Sequence, residues 1–105
     1  MALIKSTDAD FKTLISTNEK VIVKFYADWC GTCRLFAPKF KKMAENAIYE
    51  GVTFLDVNAE ENQEARKMAG VDNLPFFASF KNGLLSEGKA TAKEEKVAEM
   101  IQNLS

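Results

Sequence analysis

The chain contains two cysteines, Cys30 and Cys33, spaced by Gly31 and Thr32 and preceded by Trp29. Two thiols at this spacing can cycle between dithiol and disulfide, and their placement argues for that use. Before them, Val21-Ile22-Val23-Lys24-Phe25-Tyr26-Ala27 is almost continuously β-branched and aromatic, the pattern of a strand covered on both faces. After them, apolar residues recur at helical spacing. A thiol at a helix N-terminus lies at the positive end of the helix dipole and near free amides. Its thiolate is stabilised and its pKa falls. Cys30 is therefore expected to be the nucleophile. Cys33, brought round the first turn of the helix, is expected to attack the mixed disulfide and resolve it.

Three other uses of the pair compete. A purely structural disulfide across so short a loop would contribute only about 2 kcal/mol in the chain-entropy model, against roughly 4 to 5 for a long loop. A structural zinc usually takes four Cys or His ligands, and the chain has no histidine and no third cysteine, which leaves only a carboxylate-assisted or intermolecular site. Two inert core thiols would not account for their position at a strand-to-helix turn beside an indole.

The elements that must position the turn read as alternating strand and helix. Leu3-Ile4 is followed by Thr7-Asp8-Ala9-Asp10, which predicts an N-cap with acids in the first turn, and by a helix with Phe11, Leu14 and Ile15 inward, fading near Thr17-Asn18. Beyond the cysteines, Phe36, Phe40, Met43 and Ala47 mark one face of a long helix, with Pro38 expected to kink it. A strand over 52–57 and a helix over 61–69, stopped by Gly70, come next. The strand over 76–81 and a short one near Leu84-Leu85 flank Asn82-Gly83, a hairpin signal. Thr91 and Glu94 predict a capping box for a last helix from about Ala92, with Val97, Met100, Ile101 and Leu104 buried.

Composition narrows the function classes. At 105 residues and 47% hydrophobic content the chain suits one domain with one modest core. A net charge of -1 lacks the basic excess that contact with many phosphates requires, so nucleic acid is not expected as a partner. The N-terminal residues show neither a secretory signal nor an apolar anchor, and a single cysteine pair is unlike a disulfide-stapled secreted scaffold. Both favour the cytoplasm and no membrane partner. The five glycines form no GxGxxG, so the chain does not read as a self-contained NADPH enzyme, and electrons must come from a partner protein.

Phe25-Tyr26-Ala27-Asp28-Trp29-Cys30-Gly31-Thr32-Cys33, Ala37-Pro38, Leu74-Pro75 and Lys81-Asn82-Gly83, in this order along the whole chain, resemble the thioredoxin family. The resemblance implies an α/β thioredoxin fold, with a central mixed five-stranded sheet flanked on both faces by four helices, in a single domain and a monomer. It implies reduction of protein disulfides, with no bound cofactor beyond the redox-active Cys30–Cys33 disulfide and with electrons from NADPH through a separate flavin-dependent thioredoxin reductase. It also implies a cis peptide before Pro75, for which the sequence alone gives only the low base rate of X-Pro bonds. Disulfide-bearing clients would meet Trp29, Gly31, Asn73, Leu74 and Pro75, pairing with the Leu74 backbone as an added strand. Two further readings are an oxidising or isomerising relative, and a binding subunit or chaperone with incidental redox activity.

Several positions depart from the family pattern. Thr32 stands where most members have proline, and Thr91 replaces a glycine beside the client groove. Ser86-Glu87-Gly88-Lys89 is unusually polar for a last strand. Lys24 occupies the place of the family's buried acid, and Asp56 falls where a lysine is frequent. An unpaired ammonium in so apolar a strand would be costly. In the family arrangement the two strands are neighbours, so the resemblance implies a charge-exchanged Lys24–Asp56 pair beneath Cys33 that tunes the thiols. Alternatively, the Lys24 stem reaches the surface.

Overall fold

The computed structural model of the protein describes residues 3–105. In chain order the elements are β1 (Ile4–Lys5), α1 (Phe11–Thr17), β2 (Lys20–Tyr26), α2 (Gly31–Ala44), a 3-10 turn at Ala47–Tyr49, β3 (Val52–Asn58), α3 (Gln63–Ala69), β4 (Phe76–Lys81), β5 (Leu84–Ala90) and α4 (Glu94–Gln102). The sheet order is β1-β3-β2-β4-β5. β1 and β2 run parallel to β3, whereas β4 runs antiparallel to both β2 and β5. The mixed five-stranded sheet expected from the family pattern is therefore present, with β2 at its centre.

Alternation along the strands separates two cores. Val21, Val23 and Phe25 join Leu55, Val57, Phe76, Ala78 and Phe80 under Phe11 and Ile15 of α1 and Ala65 and Ala69 of α3. Ile22, Phe54 and Phe77 join Phe36, Phe40 and Met43 of α2 and Val97, Met100 and Ile101 of α4 on the opposite face. Phe40 binds this second core through ring contacts at 5.2 Å to Phe54 and 5.4 Å to Phe77.

Local chemistry sets several caps and element boundaries differently from the expected ones. The acids at Thr7–Asp10 do not cap α1 from within its first turn. Asp10 itself precedes Phe11, and its Oδ1 accepts from Ser6 Oγ at 2.7 Å and from the Thr7 amide at 3.0 Å. Asp8 instead caps α3, accepting from the amides of Ala65 at 2.9 Å and Glu64 at 3.2 Å. α2 ends at Ala44, because Asn46 Oδ1 accepts from the Ile48 amide at 3.0 Å and starts the 3-10 turn. Ala47 is consequently exposed, and Ala44 completes the buried stripe. Pro38 lies inside α2 on its exposed side and does not end it.

The expected capping box at Thr91 is not formed. Its Oγ1 accepts from the Lys93 amide, two residues on, and α4 begins only at Glu94. The last strand is longer than expected. Asn82 and Gly83 both take positive φ, 53° and 83°, as a tight hairpin turn requires. The polar run 86–89 then continues β5, because backbone pairing with β4 is indifferent to side chains that face water on an edge. At Gly88 a Cβ would lie 2.9 Å from the Phe76 ring, so glycine lets that ring seat in the core.

Candidate active site

β2 ends at Tyr26, and Ala27-Asp28-Trp29 turns the chain into α2. The Cys30 amide donates to the Ala27 carbonyl at 3.1 Å, and the Arg34 guanidinium donates to the Asp28 carbonyl at 2.6 Å, which fastens the turn from both ends. Cys30 is the N-cap residue of α2, with extended backbone, and its sulfur accepts from the Cys33 amide at 3.2 Å. That amide is one of the unpaired donors of a helix start, so the geometry supports negative charge on Cys30 sulfur. Cys30 and Cys33 form a disulfide, with Cα atoms 5.2 Å apart. Both are buried, at 6% and 2% exposure. Trp29 beside them is 68% exposed, so its indole faces solvent rather than the core.

The Leu74–Pro75 peptide is cis. Leu74 packs against the cluster of Ala27, Cys30 and Cys33, so the loop before β4 meets the cysteine turn. The Thr91 amide donates to the Pro75 carbonyl at 3.2 Å, which brings the start of the α4 segment to the same place. Asn73 is exposed, and its Oδ1 accepts from the Leu74 amide at 2.9 Å. Gly31 and Thr32 are exposed on the first turn of α2. Thr32 shares a shallow groove with Leu35, Phe36, Lys39 and Ala92. Leu35, 78% exposed, is an apolar residue of this rim that the helical pattern did not single out. One clue was its place two residues past Cys33, off the buried stripe.

Beneath the turn, Lys24 and Asp56 are directly paired in register across β2 and β3. Lys24 Nζ lies 3.3 Å from Asp56 Oδ1, with the lysine side chain 2% and the aspartate side chain 12% exposed. Its stem therefore does not carry the charge to the surface. The ammonium also stands 5.5 Å from the Tyr26 ring centre and 5.6 Å from that of Phe40. Burial pushes the Asp56 carboxyl above its usual range, and attraction from Lys24, then Lys5, offsets this only in part. Asp56 Oδ1 is buried, with the Lys24 ammonium beside it.

Lys24, Asp56 and Cys33 border one cavity of about 280 Å³, with Lys5, Tyr26, Ala27, Asp28, Arg34 and Ala37 completing its wall. Lys5, Tyr26 and Arg34 were not singled out from the sequence. Tyr26 lies two residues from Lys24 on the same strand face, and Lys5 pairs in register with Asp56, so alternation and strand order together would find them.

A family model described as Thioredoxin matches residues 2–103. The chain belongs to the thioredoxin family. It is 30% identical to "Thioredoxin 1" of Plasmodium falciparum over 102 residues, covering 97% of this chain and 96% of that protein. It is 33% identical to "Thioredoxin-1" of Schizosaccharomyces pombe over 97 residues, covering 92% of each. Its fold matches the crystal structure of thioredoxin f from spinach chloroplast (short form) with a TM-score of 0.89 at 26% identity, over 98% of this chain and 93% of that one. With its disulfide-forming CxxC pair, this thioredoxin-family chain is a thiol-disulfide oxidoreductase. Thioredoxin chemistry of this kind needs no bound cofactor. Among the described residues no helix is long and apolar enough to cross a membrane.

Proposed function

We propose that the protein reduces disulfides of other proteins by a two-step exchange in which Cys30 attacks and Cys33 resolves. Cys30 as thiolate attacks one client sulfur, releases the other as a thiol, and forms a mixed disulfide. Cys33 then attacks Cys30 sulfur, which forms the Cys30–Cys33 disulfide and frees the reduced client. The observation that carries this reading is the Cys33 amide donating to Cys30 sulfur at the start of α2, since it favours the thiolate at Cys30 over Cys33. Trp29, Gly31, Asn73, Leu74, Pro75 and Thr91 would form the client groove, with the Leu74 backbone pairing to an extended client segment. Thr32 tunes the couple, and Lys24, held by Asp56, stabilises the thiolates electrostatically without acting as a base.

The oxidised form is returned to the dithiol by a thioredoxin reductase that draws on NADPH through its flavin. The protein works as a monomeric single domain in a reducing compartment, the cytoplasm, where one cysteine pair serves exchange rather than stapling. Cys33→Ser should trap stable mixed disulfides with clients, and Cys30→Ser should abolish both attack and trapping. Thiol-trapping gels and an insulin reduction assay read both. A Cys33→Ser protein that accumulates no adducts, or a Cys30→Ser protein that still reduces insulin, would overturn the assignment.

A further inference from the structure

We infer that the seam between α2 and the start of α4 is a second binding surface for clients, fitted to an extended acidic segment with apolar residues at its ends that continues from the client disulfide. The inference rests on the exchange proposed above and names the clients it favours.

The seam begins at the cysteine turn. The Thr91 amide bonds the Pro75 carbonyl, and the next residue, Ala92, lines a groove of about 200 Å³ with Thr32, Leu35 and Lys39. Lys39 also lines the next hollow, of about 350 Å³, with Lys42, Asn46, Ile48 and Glu94. Leu35, Lys39 and Lys42 follow one another at spacings of four and three, so they form one ridge of α2. The two hollows are thus one channel that leads along this ridge away from the disulfide.

Its two ends are apolar. Leu35 and Ile48 are 78% and 75% exposed. The buried stripe of α2 runs through Cys33, Phe36, Phe40, Met43 and Ala44 and makes no use of Leu35. A single exposed apolar residue is ordinary. Two of them at the ends of one channel that opens at the redox pair form a surface that gains by being covered.

Between those ends the charge is positive. The charged residues of α2, Arg34, Lys39, Lys41 and Lys42, are all basic, in a chain whose net charge is -1. Among the described residues none of them is in an ion pair. Lys41 and Lys42 suit the C-terminal end of the helix dipole, but Lys39 lies earlier, and the dipole gives no reason for the apolar ends. Among the described residues Glu94 is the one acid lining either hollow, against Lys39 and Lys42. The channel therefore favours an acidic occupant. Spacing sets its pattern. Lys39 and Lys42 lie about 6 and 10.5 Å along the helix from Leu35, and an extended chain presents same-side residues about 6.6 Å apart. A client segment with an apolar residue over Leu35 brings acidic residues two and four places on to Lys39 and Lys42, the flexible lysine stems taking up the difference. The next same-side residue, apolar, reaches Ile48.

The test uses three synthetic peptides that share one internal disulfide. One ends just after it, one continues as Leu-Ser-Glu-Ser-Glu-Ser-Leu, and the third carries Lys in place of each Glu. Reduced protein is mixed with each, quenched in acid at intervals, and the reduced peptide is measured by chromatography. The acidic-tailed peptide should react about 10-fold faster than the basic-tailed one at low salt, a factor that two exposed ion pairs support, and added sodium chloride should shrink the ratio. Lys39→Glu/Lys42→Glu should reverse the order. Ile48→Ser should slow the acidic-tailed peptide about threefold at every salt concentration. The tailless peptide should react alike with all three proteins. Equal rates for the two tailed peptides, a preference that survives Lys39→Glu/Lys42→Glu, or an Ile48→Ser protein that matches the unsubstituted one overturns the inference. So does a dimer in sedimentation that Ile48→Ser dissolves, since a second copy then covers the channel. A tailless peptide that the unsubstituted protein fails to reduce would instead sink the exchange reading itself.

Discussion

The two faces of β2 differ although they share one backbone. Toward α1 and α3 it presents Val21, Val23 and Phe25, all buried in an unbroken apolar layer. Toward α2 and α4 it presents Ile22 and then Lys24, an ammonium set among rings and paired with Asp56. The apolar face is the cheaper way to hold a sheet and its helices together, since desolvating two charges offsets much of what their attraction returns. The raised Asp56 carboxyl shows the same imbalance, with burial outweighing the lysine beside it. The charged face therefore makes sense where it lies, next to the cavity that reaches Cys33.

The comparison breaks most visibly on the apolar side. Phe25→Ala should cost about 3 to 5 kcal/mol, because it removes a ring in contact with Phe11 and Phe76 and leaves a cavity. Its thiol titration should be unchanged. Urea melts and a thiolate absorbance titration of the same variant test both halves. On the other face, Lys24→Met should cost about 3 kcal/mol by leaving Asp56 without its partner, and should raise the pKa of the reactive thiol. Adding Asp56→Leu should recover much of the stability but not the thiol shift. A Lys24→Met protein with unchanged stability and unchanged titration would place the pair outside both the energetics and the chemistry.

What could be read from the sequence follows the same division. Sheet, helices and their buried stripes were legible because strand and helix periods repeat over many residues, as in Val21–Ala27 and Phe36–Phe40–Met43. Cys30, Cys33 and Trp29 were legible because their spacing is local. The ends of elements were not, since each depends on one hydrogen bond with a free choice of partner. Asp8 caps a helix more than fifty residues away rather than its own. Thr91 bonds the second amide rather than the third. The cavity wall was also hidden, because Lys5, Tyr26 and Arg34 meet Asp56 only once three strands and a helix are assembled.

A smaller effect sharpens the view of the turn itself. Thr32 is the second residue of α2, where an amide has no intrahelical partner and proline is tolerated. Thr32→Pro should stiffen the span between the thiols and make the couple more reducing. A shift of about 30 mV corresponds to roughly 1.4 kcal/mol between the oxidised and reduced forms. Equilibration with glutathione buffers measures it, and an unchanged or less negative potential would remove Thr32 from the tuning residues.

The smallest effect is the pH dependence of stability carried by Asp56. Its folded carboxyl titrates above the ordinary value of 3.8, chiefly because burial disfavours the charged form. Between that value and its raised one, the folded protein holds a proton that the unfolded chain releases. Stability from this group is thus complete below about pH 4 and is lost as pH rises through the folded titration. Asp10 runs the other way. The Ser6 hydroxyl and the Thr7 amide lower its carboxyl, so its contribution is present above 3.8 and fades as acid protonates it. Asp56→Asn removes the first trend and leaves the second. The Tm of Asp56→Asn relative to the unsubstituted protein should therefore climb as pH is raised from 4 toward neutral. Asp10→Asn should instead lose Tm relative to that protein as pH is raised through 3.8 from the acid side, with little further change above about pH 5. Parallel Tm curves for Asp56→Asn and the unsubstituted protein would mean that Lys24 fully compensates the burial of Asp56, and that the charged face costs the fold nothing.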